Sequence, residues 1–326
     1  MKMRWLVLAF IVLSMASCLK EESPVSLPPQ GDAISQTLRM GSDYSTQYYY
    51  DLTNQKVVHT SKVNSWHLAF ESGEDGETVF INGGNGMGLI KTNKTDFREV
   101  SSNDYAGITW LQDNPNGIEK EAAFAGWNQN ELSRNTIYIV RLDGSNQNIV
   151  TVKLREVTST YFQFEVGDLT HGKLGAYQIN KEPTRMYTYF NLEDLEERKD
   201  VEPIKESWDL LFTRYGFTFY NETPPLPYIV TGVLTNPNSK AYKDSLNSFY
   251  DIDAGILTNC ELSPHRDIIG YDWKYYDFDL GIFHIRQDYN YIIRTQNENC
   301  FKLRFLSFYD DNGLKGTPTF EFKQIQ

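Results

Sequence analysis

The chain has 326 residues, enough for one large domain or two ordinary ones. Aromatic residues make up 14% of it, which favours strands over helices. Acidic residues outnumber basic ones by 43 to 31, and a surface with a formal charge of −12 repels nucleic acid and argues against a polyanionic partner.

In chain order, Lys2 and Arg4 precede an apolar run from Trp5 to Leu13. That run is about half the length of a bilayer-spanning helix, so it reads as the apolar core of a secretory signal. Ala16 and Ser17 stand directly before Cys18 and resemble the lipobox of bacterial lipoproteins, with Met15 in place of the usual leucine. The resemblance implies removal of residues 1–17, lipidation of Cys18 and attachment to a membrane through acyl chains rather than a transmembrane helix. Removal leaves 29 basic residues against 43 acidic ones, a net of about −14. Lys20, Glu21 and Glu22 resemble the export signal that sends some Gram-negative lipoproteins to the outer face of the outer membrane; a plain solvated linker is the alternative. Pro24, Pro28 and Pro29 make residues 18–38 an extended, flexible tether.

The mature part carries an internal duplication. Trp66-His67-Leu68-Ala69-Phe70 is echoed 142 positions later by Trp208-Asp209-Leu210-Leu211-Phe212. An aromatic strand signal precedes each: Tyr48 to Leu52 in the first half, Tyr187 to Leu192 in the second. Tyr138-Ile139-Val140-Arg141 matches Tyr291-Ile292-Ile293-Arg294, and Lys153-Leu154-Arg155 matches Lys302-Leu303-Arg304. Both halves close on an alternating strand, Tyr161 to Glu165 and Thr319 to Lys323. Matches that recur in one order mark a repeat. Apolar–polar alternation between turn signals predicts antiparallel strands and hairpins. The expected fold is therefore all-β: two tandem antiparallel β-sheet units of about 140 residues, packed side by side, over residues 39–178 and 179–326. The junction is expected between Gly167 and Lys181, with Gly167, Gly172 and Gly175 as breakers. Asn191 to Lys199 is the best helix candidate.

Chemistry-bearing motifs are few. Cys18 aside, Cys260 and Cys300 remain, either as one disulfide of an oxidising compartment or as two buried thiols. No CxxC or HExxH spacing points to a metal. Nor is there a Gly-x-Ser-x-Gly elbow, a P-loop or a paired Cys and His. Asp209, Glu206 and Asp272 lie near aromatics, but an acid-rich chain offers such carboxylates everywhere, so no enzyme is expected.

The order of these motifs resembles the HmuY-like lipoprotein family. The match runs from an aromatic strand through Trp-Asp-apolar-apolar-Phe to an Asn-Gly or Thr-Asn turn (Ile81-Asn82-Gly83-Gly84; Thr235-Asn236). It ends on Tyr-apolar-apolar-Arg, Lys-apolar-Arg and a last aromatic strand. The resemblance covers nearly the whole mature chain, once per half. It implies an extracellular lipoprotein that takes haem, free or from a haem-carrying protein, and passes it to a TonB-dependent outer-membrane transporter.

A haem site draws axial ligands from His or Met beside an apolar pocket. The histidines are His59, His67, His171, His265 and His284. His67 sits inside a core motif and reads as structural. His284, just before the closing hairpin and downstream of Trp273, Tyr275, Tyr276 and Phe278, is the leading candidate. Met87, in the Gly83 to Gly88 loop, and Met186 are candidate second ligands. Two other functions fit the sequence: a glycan-binding or adhesive surface module using Tyr271 to Tyr276, and an accessory subunit of a transporter with no ligand of its own.

Overall fold

Alternation becomes strands wherever one face can be buried. In Tyr161–Asp168, Phe162, Phe164 and Val166 point inward while Tyr161, Gln163 and Glu165 stay at the surface. The computed structural model describes residues 32–326, so the signal segment and Cys18 lie outside the described residues. The described chain is all-β. Its one α-helix, α1, is a single turn at Glu131–Asn135.

The strands of the first half open with β1 (Ile34–Thr37), then the hairpin of β2 (Thr46–Asp51) and β3 (Lys56–Lys62). Next come β4 (Leu68–Glu71), β5 (Val79–Ile81), β6 (Gly88–Lys91), β7 (Tyr138–Arg141), β8 (Ile149–Val157) and β9 (Tyr161–Asp168). The second half repeats this series. It runs through β10 (Gly172–Asn180), the hairpin of β11 (Tyr187–Asn191) and β12 (Glu196–Arg198), β13 (Leu210–Phe219), β14 (Leu226–Thr235) and β15 (Lys240–Asp244). An extra hairpin of β16 (Lys274–Asp277) and β17 (Ile282–Ile285) precedes β18 (Asn290–Arg294), β19 (Cys300–Tyr309) and β20 (Lys315–Gln324).

These strands build two sandwiches. In one, the sheet β10-β9-β8-β7-β6 faces the sheet β12-β11-β4-β5 across a core that includes Phe70, Phe162, Phe164 and Phe190. In the other, β1-β20-β19-β18-β15 faces β14-β13-β2-β3 across Tyr50, Phe212, Trp273, Phe305 and Phe320. The hairpins are exchanged between the repeats. β4 of the first half pairs with β11, and β13 of the second half pairs with β2. The first sandwich is thus continuous from β4 to β12. The second is closed by β1, β2 and β3 from the chain's other end.

Equivalent polar groups hold both exchanges. The Leu192 N–H donates to His67 Nδ1 (3.1 Å), and the Leu52 N–H donates to Asp209 Oδ2 (2.9 Å). Each acceptor comes from one repeat and each donor from the other. Asn82 Nδ2 donates to the Val63 and Trp66 carbonyls, as Asn236 Nδ2 does to those of Lys205 and Trp208. His67 is therefore a structural acceptor, as its place in the core motif suggests, and burial lowers its pKa.

Two local readings change, and the choice left open for the cysteines falls on free thiols. Asn191 to Lys199 is a hairpin rather than a helix: Asn191 Oδ1 accepts from the Glu193 N–H (2.8 Å), and Leu195 sits at φ 62°, outside the helical region. The segment from Gly167 to Lys181 is mostly β10, laid back on β9 after a turn in which Gly172 takes φ 78°. Residue 178 falls inside that strand, and the sheets are assembled across the expected boundary. Cys260 and Cys300 are free thiols, the second buried at the start of β19.

The outer faces of β12-β11-β4-β5 and β14-β13-β2-β3 lie against each other. Tyr49, Trp208, Leu211 and Tyr215 fill one side of this seam and Ala69, Tyr187 and Tyr189 the other, with Met186 packed against both. Gly83 and Gly216 bring two backbones together there. A Cβ on Gly83 would stand 2.7 Å from the Gly216 nitrogen.

Candidate functional site

The insertion between β15 and β18 carries the sequence's leading candidate. Its anchor is apolar: Trp273 is buried and stacks on Phe305 at 3.9 Å and 13°. Beside it the Lys274 amine is buried against the rings of Trp273 (4.1 Å) and Phe308 (4.6 Å) and donates to the Thr231 carbonyl at 2.5 Å. Burial pulls its pKa down to about 7. Trp273 and Lys274 therefore belong to the core, which leaves only part of Tyr271 to Tyr276 for a glycan platform.

From this anchor β16 and β17 project as a two-stranded ribbon, Tyr275 opposite His284 and Tyr276 opposite Phe283. Alternation splits the ribbon into two faces. The inner one, with Phe283 and Ile285, packs on the second core, and the Phe283 N–H donates to the Tyr309 hydroxyl at 2.5 Å. The other carries Asp277, Tyr275, His284 and Arg286. Tyr275 and His284 stack at 5.3 Å and 26°, the Arg286 guanidinium lies 4.8 Å over the Tyr275 ring, and His284 Nε2 is 3.6 Å from Asp277 Oδ2. At the tip Phe278 is 88% exposed and Leu280 61%, with Phe278 edge-on to Tyr276 of the inner face at 5.1 Å.

The other candidates are not brought to this ribbon. Met87 is fully buried in the first core, because the Gly83–Asn85 turn closes over it rather than leaving a mobile loop. No porphyrin reaches its sulfur without opening that core. Met186 lies in the seam, where Asn238 Nδ2 contacts its Sδ at 3.8 Å. His59 is tied to the Asp200 carbonyl (2.9 Å) and His171 to Asp168 (2.8 Å). Among the described residues no group of three or more His, Cys, Asp or Glu is placed to hold a metal ion.

Sequence reading missed the seam cleft, a cavity of about 120 Å³ reached by Trp66, Phe80, Tyr187, Glu202, Trp208 and Arg266. It is smaller than the roughly 300 Å³ at which drug-sized ligand pockets begin. Glu202 is its buried acid. Its carboxylate accepts from the Met186 N–H (2.6 Å), the Tyr187 N–H (2.9 Å) and the Tyr189 hydroxyl (2.8 Å), yet burial still lifts its pKa to about 7. Only the surrounding fold marks this glutamate, since nothing in its sequence neighbourhood does.

Glu202, Asp113 and Asp209 set a pH dependence, opposed only above about pH 7 by Lys274, whose lowered pKa adds stability as pH rises. Asp209 is also raised to about 7, again chiefly by burial. Folded pKa values above the unfolded ones mean a stability contribution that is complete below pH 4 and lost as pH rises through 7. The melting temperature should therefore be a few degrees higher near about pH 5 than near about pH 8. Glu202→Gln should flatten the slope, and a wild-type curve rising toward pH 8 would contradict the assignment.

The doubled sandwich with its repeated Trp, Asn and Tyr-apolar-apolar-Arg elements defines the class. The HmuY protein family matches residues 43–159 and 230–322, one segment in each half. The chain belongs to the HmuY family. Among solved structures, a HmuY-like haem-binding protein from Bacteroides vulgatus ATCC 8482 is 14% identical, over 41% of this chain and 82% of that one, at a TM-score of 0.25. Apo PinO from Porphyromonas gingivitis is 9% identical, over 91% and 98%, at 0.34. A lipoprotein from Bacteroides fragilis NCTC 9343 is 10% identical, over 92% and 93%, at 0.22. No curated protein matches the chain.

Proposed function

We propose that the protein is a lipid-anchored binding protein, not an enzyme, that takes up haem or a related iron compound outside the cytoplasm. It then passes this cargo to a TonB-dependent outer-membrane transporter. Family membership over both halves carries the reading. The outer face of the β16–β17 ribbon supports a location for the cargo. It offers an imidazole and a phenol as donors and a guanidinium for a propionate. Cys18 would hold the mature chain on the outer membrane, facing the exterior.

Haemin titrated into the mature protein should give a sharpened, red-shifted Soret band that saturates at about one or two equivalents. A spectrum that stays that of free haemin at micromolar protein sinks the haem reading.

A further inference from the structure

We infer that the seam cleft is a second binding site, for one neutral sugar ring, built jointly by the two repeats. It is separate from the β16–β17 ribbon and does not depend on the haem reading.

Space sets the size of the ligand. The cavity of about 120 Å³ is close to the about 150 Å³ that holds a benzene molecule, so it takes one six-membered ring and leaves anything further outside its mouth. Two of its lining rings, Trp66 and Phe80, are only partly buried. Each is braced edge-on by a buried tyrosine, Trp66 by Tyr189 at 5.0 Å and Phe80 by Tyr187 at 5.7 Å. Aromatic walls fixed in this way suit the C–H face of a sugar ring.

Polar groups from both halves line the same cleft. Asp113 comes from the first and Arg266 from the second. The loop that follows Asp113 is clamped onto Arg266. The Arg266 N–H donates to the Asn116 carbonyl (3.0 Å), and a Cβ on Gly117 would stand 2.7 Å from Arg266 Cδ. Neither side chain is used up. Asp113 accepts one backbone N–H on each oxygen, from Ile81 (2.6 Å) and Ala123 (2.7 Å), which leaves it further lone pairs. Arg266 Nε donates to the Thr235 carbonyl (3.0 Å) and Nη1 reaches the Tyr187 hydroxyl only at 3.5 Å, so Nη2 has no partner among the described residues. Glu202 Oε2 takes only the Tyr189 hydroxyl.

Charge selects among the ligands that aromatic walls attract. Desolvation lifts Asp113, like Glu202, to about 7, so near that pH two half-ionised acids offset one guanidinium. An ammonium ion would face Arg266, and a carboxylate would face Asp113 and Glu202. A neutral polyol finds acceptors for its O–H groups and a donor for its oxygens.

The test is saturation-transfer NMR with tryptophan fluorescence on the full mature chain. The probes are glucose, galactose and mannose, with benzoate and tetramethylammonium as charged controls. At least one hexose should bind at millimolar concentration, and neither control should. Trp66→Ala and Arg266→Gln should each weaken that binding about 10-fold or more, with circular dichroism checking that both are folded. A methyl glycoside that binds as well as the free hexose assigns the site to the end of a glycan, and one that fails assigns it to free sugar; both uphold it. No binding of any hexose overturns the inference, as does tighter binding of either charged control. A hexose signal that Tyr275→Phe removes and Trp66→Ala does not would put the sugar on the ribbon and overturn it too.

Discussion

A fragment spanning residues 63–203 should unfold cooperatively on its own, whereas one of similar length spanning 39–178 should not. The first contains every strand from β4 to β12, hence both sheets of one sandwich and all of its core from Leu68 to Leu192. The second keeps β2 and β3, whose pairing partner β13 it lacks, and loses β11, which covers β4. Phe190 and Leu192 go with it, leaving Phe70 and Phe164 without one wall of their core. A small domain survives few losses of this size, since net stability is only about 5–15 kcal/mol. Urea titrations followed by tryptophan fluorescence would decide it. A cooperative transition in 39–178 at least as stable as that of 63–203 would show that each hairpin folds back on its own repeat.

The second large effect concerns the repeated tryptophans. Trp208 is 1% exposed and meets Tyr49 edge-on at 5.0 Å. Its counterpart Trp66 makes the same contact with Tyr189, also at 5.0 Å, but stays partly exposed. Trp208→Ala should lower stability by about 3–5 kcal/mol, the range for an aromatic removed from a packed interior. Trp66→Ala should cost clearly less, because less of its surface leaves water on folding. Equal losses, or a larger one at Trp66, would mean that the two sides of the seam are packed alike.

The duplication was legible because its signals are local. Trp-x-apolar-apolar-Phe, Tyr-apolar-apolar-Arg and Lys-apolar-Arg recur in order, and each proves to be the same strand of a sandwich. The hairpin exchange was not. Motif order is identical whether β2 pairs with its own repeat or the other, and the choice shows only in the pairing of β2 with β13 and of β4 with β11. His284 could be found from its aromatic surroundings, and the ribbon does present it. Met87 misled because the four glycines of its loop read as flexibility, whereas Asn82 Oδ1 accepts from the Gly84 N–H and Gly83 packs on Gly216. The ladder from Asp277 to Arg286 needed strand register, which joins residues from two strands.

β1 lies at the sheet edge against β20, Ile34 opposite Phe322 and Thr37 opposite Thr319. Mechanically, any pull arriving through the residues before Ile34 enters the second sandwich and runs into the chain's last strand. The first sandwich, joined to the second at both of its ends, is bypassed by that load. The half of the chain nearer the N-terminus in sequence is thus the more distant one along such a line of force, and the ribbon with Tyr275 and His284 is carried by the sandwich that bears it.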